Sequence, residues 1–241
     1  MALPPTGRRA VTPLLAVAAL AALPLLGACS DDAAPAESPQ DAVEAAAATL
    51  AGTTGVYVAI STDDPPSGIA ALVAADGSLT AAPAFDGTIT LSYAGLEPQV
   101  PVVAVDGDVW AQLPLTTGWT SIDPADYGAP DPTLLLDEDT GVPALLRATT
   151  DLAAGDAVRG GADNAEVLTP YTGTVPGDLV AAVVGEAGAP DGDVSVTYLL
   201  TSDDELRSAE VSGGFYGSSS DTTYTVDLTD YGDAPDVSAP Q

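Results

Sequence analysis

The chain has 241 residues, with 35 acidic side chains against five arginines and neither lysine nor histidine. That balance excludes nucleic acid and anionic headgroups as partners of the bare surface. Without histidine, a Ser-His-Asp or Cys-His centre is impossible and the commonest metal ligand is missing, so no catalysis, cofactor or metal is expected.

In chain order, Arg8 and Arg9 precede an apolar run from Val11 to Leu26, broken by Pro13 and Pro24. A basic patch, an apolar core and then small residues form a secretory signal, too short and interrupted for a spanning helix of roughly 20 residues. Leu26-Gly27-Ala28-Cys29 resembles the bacterial lipobox, and Cys29 is the sole cysteine. The resemblance implies that residues 1–28 are removed and that Cys29 is lipidated, which anchors an exported protein to the outer face of the cell membrane. The alternative, an ordinary signal with a chance cysteine, leaves no anchor. Two or more acyl chains hold firmly, at ~0.8 kcal/mol per buried CH2.

Residues 29–40 read as a flexible tether, with two prolines and no large apolar side chain. A helix is predicted over Asp41–Leu50, with Asp41 as N-cap and Glu44 completing a capping box. The period then changes to two. Strands are predicted at Val56–Ser61, Ala71–Thr80 (with a bend or bulge at Asp76-Gly77), Thr88–Tyr93, and Val100–Val105 with Val109–Leu113 around the hairpin signal Asp106-Gly107. Residues 114–133 read as a long crossover loop, and Ala144–Ala148 as a short helix. Strands over Leu152–Gly160 and Asn164–Val175 come next, then a helix from Pro176 to about Gly185. Val194–Leu200, Leu206–Val211 and Thr222–Leu228 are the last strands, and residues 233–241 form a polar tail. Nine or ten strands joined by tight turns, with two or three short helices, give an α+β fold: a single strongly curved antiparallel sheet with helices on its concave face. Helices rich in Ala and Val leave either an apolar cavity or a tight small-residue core.

Asp131-Pro132-Thr133-Leu134-Leu135-Leu136-Asp137-Glu138-Asp139-Thr140-Gly141-Val142 is similar to the Asp-Pro, Leu, Asp-Thr-Gly-Leu pattern of the LppX/LprAFG family of mycobacterial-type lipoproteins. Val102–Ala111, with its Asp-Gly hairpin, and Trp119-Thr120-Ser121 resemble that family too, and element order agrees over residues 41–232. The resemblance implies a half-barrel whose concave face encloses a cavity for the acyl chains of lipids or glycolipids, carried across the cell envelope and not transformed. It implies three partners: the acylated ligand, the membrane through the anchor, and a membrane lipid transporter that hands the ligand over.

Exposing an acyl chain of about 15 CH2 groups to water costs roughly 12 kcal/mol, so a carrier must enclose it. Strand alternation makes Ile89, Leu91, Val103, Val105, Val196, Tyr198, Tyr224 and Val226 the inward candidates, joined by Leu145, Leu146, Val180 and Val183 from the helices. Ordinary core packing is the bland reading of each, and both faces of Val100–Val105 are apolar. Two rival functions stand beside the carrier. One is a carboxylate-pair enzyme using Asp63-Asp64, Asp137-Glu138-Asp139 or Asp203-Asp204-Glu205, all at expected turns. The other is a surface-tethered structural or adhesion module with a filled core and no ligand.

Overall fold

The computed structural model describes residues 38–217 and 221–240. The expected signal segment, Cys29 and the tether through residue 37 lie outside the described residues. Helix α1 (Pro39–Gly52) takes in the last two residues expected in the tether. Its N-cap is Ser38 and not Asp41, because Pro39 suits the first helical position, where its missing N–H leaves nothing unsatisfied. The Asp41 amide donates to Ser38 Oγ at 3.1 Å and the Ser38 hydroxyl donates back to the Asp41 carboxylate at 2.6 Å. This is a capping box three residues before the expected one. Ala42, Val43, Ala46, Ala47 and Leu50 form one buried stripe, the spacing of a single helical face.

The strands are β1 (Gly55–Ser61), β2 (Ala71–Thr80), β3 (Ala84–Ser92), β4 (Gln99–Val105), β5 (Asp108–Ala111) and β6 (Thr120–Ile122). After α2 (Val142–Ala148) come β7 (Thr150–Ala154), β8 (Val158–Gly160) and β9 (Glu166–Val175). Helix α3 (Gly177–Val184) leads to β10 (Val194–Leu200), β11 (Leu206–Gly213) and β12 (Thr222–Thr229). They form one open antiparallel sheet of 12 strands in the order β6-β5-β4-β3-β2-β1-β12-β11-β10-β9-β7, with β8 also paired to β9. The first and last strands of the domain thus meet at its centre: β1 pairs with β12.

Several expectations shift. The strand expected over Leu152–Gly160 is two strands, parted where the Gly155 amide turns to Pro170 O at 2.8 Å. The crossover loop expected over 114–133 contains β6, whose three residues are too few to show a period. Gly77 does not bend β2: it lies mid-strand opposite Gly87, and the irregularity falls between Leu72 and Ala74. At Asp106-Gly107 the expected hairpin forms, with φ of 53° and 84° at the two residues, as a type I′ turn requires. Tyr93, expected to continue β3, stands outside it and is 63% exposed.

One sheet face is apolar. Val56, Val58, Leu79, Phe85, Val102, Ala104, Val196 and Leu228 share a core with α1, Leu146 of α2 and Val180 of α3. Fully burying a leucine such as Leu50 or Leu146 contributes about 1.5–3 kcal/mol. Arg147 ties α1 to the turn before α2, reaching Glu44 and Glu138 at 3.0 Å each. In that turn the Asp137 carboxylate accepts from the Asp139 and Thr140 amides and the Thr140 hydroxyl. These bonds hold its pKa below the usual carboxylate value, the Thr140 hydroxyl first among them. Gly141 closes the turn; a Cβ there would lie 2.5 Å from Leu135 O and 2.6 Å from Leu134 O. The Asp-Thr-Gly motif is therefore a folding device.

Buried tyrosines fasten the layers. The Tyr198 hydroxyl lies 2.9 Å from Thr149 Oγ1, which donates onward to Leu145 O at the end of α2. Burial pushes the Tyr198 phenol up to about 12. Tyr224 donates to Leu72 O, and the Leu72 amide donates to the Tyr216 hydroxyl, both at 2.9 Å. Burial, and then the hydrogen bond with Tyr216, raise the Tyr224 pKa further. Tyr231 is raised by burial and then by the Glu205 charge.

Two outcomes follow from these contacts. Gly141→Ala should destabilise the fold by about 1–3 kcal/mol, since backbone oxygens must move, and denaturant unfolding will measure it. An unfolded tyrosine titrates near 10 and these titrate higher, so their stabilisation is complete below pH 10 and is lost as pH rises through the folded values. The urea midpoint should be flat near neutrality and fall above pH 10. Tyr198 alone should contribute about 2–3 kcal/mol of that fall, and Tyr198→Phe should remove this part of it.

Candidate functional site

The register lays the inward side chains out in rows. Ile60 faces Val226 on β12 and Ala75 on β2, and Ala75 faces Ile89 on β3. All four are half-buried. The same row ends in buried residues, Tyr198 and Ala209 on one side and Val100 on the other. The row below, through Leu228, Val58, Gly77 and Val102, is almost wholly sealed. Phe85 is the seal, for a Cβ on Gly77 or on Gly87 would lie within 2.7 Å of its ring. Glycine at both positions leaves the ring room to lie flat on the sheet.

From the covering layer, Leu135, Leu136, Val142 and Leu145 are partly buried and pack against the same core. The result is an apolar seam between sheet and helices. It is open over four adjacent strands and closed toward the end where β2 turns into β3. The opposite end, where β1 leads to β2 and β3 to β4, is the rim.

Of the residues expected to face inward, Ile89, Leu145 and Val226 line the seam. Leu146, Val180, Val196, Tyr198 and Tyr224 are buried in the core beside it, with Tyr224 edge-on to Phe215 at 5.3 Å between ring centroids. Leu91 is half-buried two positions nearer the rim. Val183 is buried outside the core cluster, while Val184 packs on it. Val103 and Val105 need correction. Val103 pairs with Asp86 and Trp110, and Val105 with Ala84 and Asp108, on the outer face; Val100, Val102 and Ala104 point inward. Both faces of β4 are apolar, so alternation alone had no polar face to orient it.

Sequence reasoning missed Ile60, Leu72, Leu135, Leu136, Val142, Val211 and Tyr216. For Ile60 the signal was present, as the third apolar residue of an alternating strand. For Leu135 and Leu136 it was hidden inside a motif.

No basic side chain belongs to this core cluster. Arg147 is engaged as above, and Arg207 pairs with Glu166 at 2.8 Å and Glu205 at 3.0 Å. Arg159 reaches Ala165 O at 3.5 Å. The acidic pairs weighed for catalysis lie at turns. The Asp64 amide donates to Thr62 Oγ1 and the Asp203 amide to Thr201 Oγ1. Among the described residues, no group of three or more acidic, histidine or cysteine side chains could hold a metal.

Two depressions lie away from the seam. One, about 480 Å³, is ringed by Asp191, Asp193 and Asp221; the other, about 440 Å³, is formed by rim turns at Gly68–Ala70 and Ser92–Gly95. The enclosed cavity implied by the resemblance is thus not displayed, and a partly open seam stands in its place.

Comparison with known proteins agrees with this architecture. LprF from Mycobacterium bovis superposes with a TM-score of 0.66 at 14% identity, covering 84% of this chain and 96% of its own. LppX from Mycobacterium tuberculosis superposes at 0.59 with 18% identity, covering 83% and 98%. No curated protein matches the sequence. The sequence profile described as LppX_LprAFG lipoprotein matches residues 38–237, which span α1, all 12 strands and the start of the tail. On that match, and with the fold of LprF and LppX, the chain belongs to the LppX_LprAFG lipoprotein family.

Proposed function

We propose that this lipoprotein is exported, held at the outer face of the cell membrane by an acylated Cys29, and carries lipid or glycolipid acyl chains across the envelope without transforming them. The observation that carries the reading is the half-buried row Val226, Ile60, Ala75 and Ile89 on the apolar sheet face, with Leu135, Leu136, Val142 and Leu145 half-buried against the same core. Buried residues bound it at both ends and toward the base, and on β2 and β3 it continues to half-buried Leu72 and Leu91. An acyl chain entering the seam would complete its burial, and each CH2 so buried contributes about 0.8 kcal/mol. Helices facing the sheet mainly with Ala and Val can part from it at low cost, since few interlocked side chains must separate. A membrane lipid transporter would then be the protein that hands the ligand over.

The competing reading, a tethered module with a filled core, draws on the many inward residues that are already buried. One experiment separates the two. The chain expressed from Ser30 onward, which lacks the acylated cysteine, is extracted with organic solvent and the extract weighed by mass spectrometry. Co-purifying diacyl or triacyl lipid is the expected result; a clean extract and no uptake of a labelled phospholipid would leave the filled module. Ile89→Trp should abolish uptake while shifting stability by no more than about 1–3 kcal/mol, the range for an overpacked site. Unchanged uptake would remove the seam as the binding place.

A further inference from the structure

At the rim, three consecutive turns carry large apolar side chains in water. Ile69 precedes β2 and is 43% exposed; Tyr93 and Leu96 join β3 to β4 at 63% and 68%; Leu115 follows β5 and is fully exposed. The pairings Ala71–Ser92, Thr90–Gln99 and Val102–Ala111 put all three turns at one end of neighbouring strands. Tyr93 and Leu96 exchange backbone hydrogen bonds of 2.9 Å around Ala94 and Gly95, whose φ values of 52° and 79° make a rigid type I′ tip. Leu115 is held at φ 69°, a strained conformation for a bulky residue that no burial offsets. The turn closed by the Thr116 amide to Leu113 O at 3.2 Å, with Pro114 at its second position, calls for a positive φ here but not for a leucine.

Over β1–β6 the charge distribution runs the other way, whereas the same end of β9–β12 carries Asp191, Asp193 and Asp221. The base turns of the same sheet carry Asp106, Asp123, Asp126, Asp203, Asp204 and Asp230. The rim stretches Pro65–Ala75, Gly87–Leu96 and Gln112–Ser121 contain no charged residue, with Asp63, Asp64 and Glu97 only at their margins. Tyrosine and leucine at an uncharged tip are the composition that settles at a bilayer interface. The chain between Cys29 and Ser38 reaches at most about 30 Å, so an anchored domain this size stays within touching distance of the lipid. On β2 and β3 the half-buried face continues toward this end through Leu72 and Leu91, while Tyr224 on β12 is buried.

We propose that Ile69, Tyr93, Leu96 and Leu115 form a docking surface that seats the domain on an uncharged or zwitterionic bilayer by the β2–β5 corner of the rim, with the acidic base and the acidic end of β9–β12 held away. The proposal rests on the anchored-carrier reading, and its test separates the two. Cys29 being the sole cysteine and consumed by acylation, Leu96→Cys, Leu115→Cys or Asp106→Cys in the full acylated chain each offers one thiol for an environment-sensitive fluorophore. In phosphatidylcholine vesicles the probes at 96 and 115 should be blue-shifted and quenched severalfold more by lipid-borne quenchers than the probe at 106. Replacing part of the lipid with an anionic one should weaken that quenching. Leu115→Asn, which relieves the strain, should leave the fold at least as stable and return the probe at 96 toward water.

Equal, water-like signals at all three positions on protein that still floats with vesicles would overturn docking while leaving anchoring intact. Failure to float would instead indict the acylated anchor, and loss of lipid uptake the carrier. Shielding at 96 that lipid-borne quenchers do not reach would mean a second copy covers the tip, and would overturn the proposal as well.

Discussion

The burial of the sheet's apolar face under α1 is the interaction on which the rest of the structure depends. An antiparallel sheet of 12 strands left open at both edges cannot hide that face on itself. It curves around a helix whose contact stripe is four small residues and one leucine: Ala42, Val43, Ala46, Ala47 and Leu50. Small side chains let the backbone approach closely, and they leave the middle of the sheet short of side-chain volume. The half-buried row through Val226, Ile60, Ala75 and Ile89 lies on that apolar face.

Around that interaction the polar groups act as fasteners. Three of the five arginines lie beyond residue 28 in a strongly acidic chain. Arg147 clips α1 to the turn before α2, and Arg207 gathers Glu166 and Glu205 while donating to Leu228 O. Exposed pairs of this kind contribute about 1 kcal/mol or less each, so their value lies in fixing geometry. The buried phenols of Tyr198 and Tyr224 do the same inside, tying the end of α2 and the irregular start of β2. The acid clusters sit on turns: the Asp137 carboxylate accepts backbone amides, while the amides of Asp64, Asp203 and Glu205 donate to threonine hydroxyls.

Legibility followed the strength of the local signal. Where one strand face is hydroxyl-bearing and the other apolar, as in Thr88–Leu91, parity read from sequence matches the structure, and Ile89 lines the seam. The same holds for Val196 and Tyr198. On β4 both faces are apolar, and the true inward set of Val100, Val102 and Ala104 is fixed only by pairing with β3. Gly77 was legible as unusual and misread as a bend, because the ring lying on it comes from Phe85 on the next strand.

The sequence by itself determined most of the elements, the one-sided sheet, the acid excess and the family, since each rests on local periodicity, composition or a contiguous motif. Only the tertiary structure decided which apolar residues are packed and which remain half-open. That depends on register across neighbouring strands and on which helix lies above them. It also gathered Ile69, Tyr93, Leu96 and Leu115, spread over 47 positions of sequence, onto one rim, because antiparallel pairing returns every second turn to the same end.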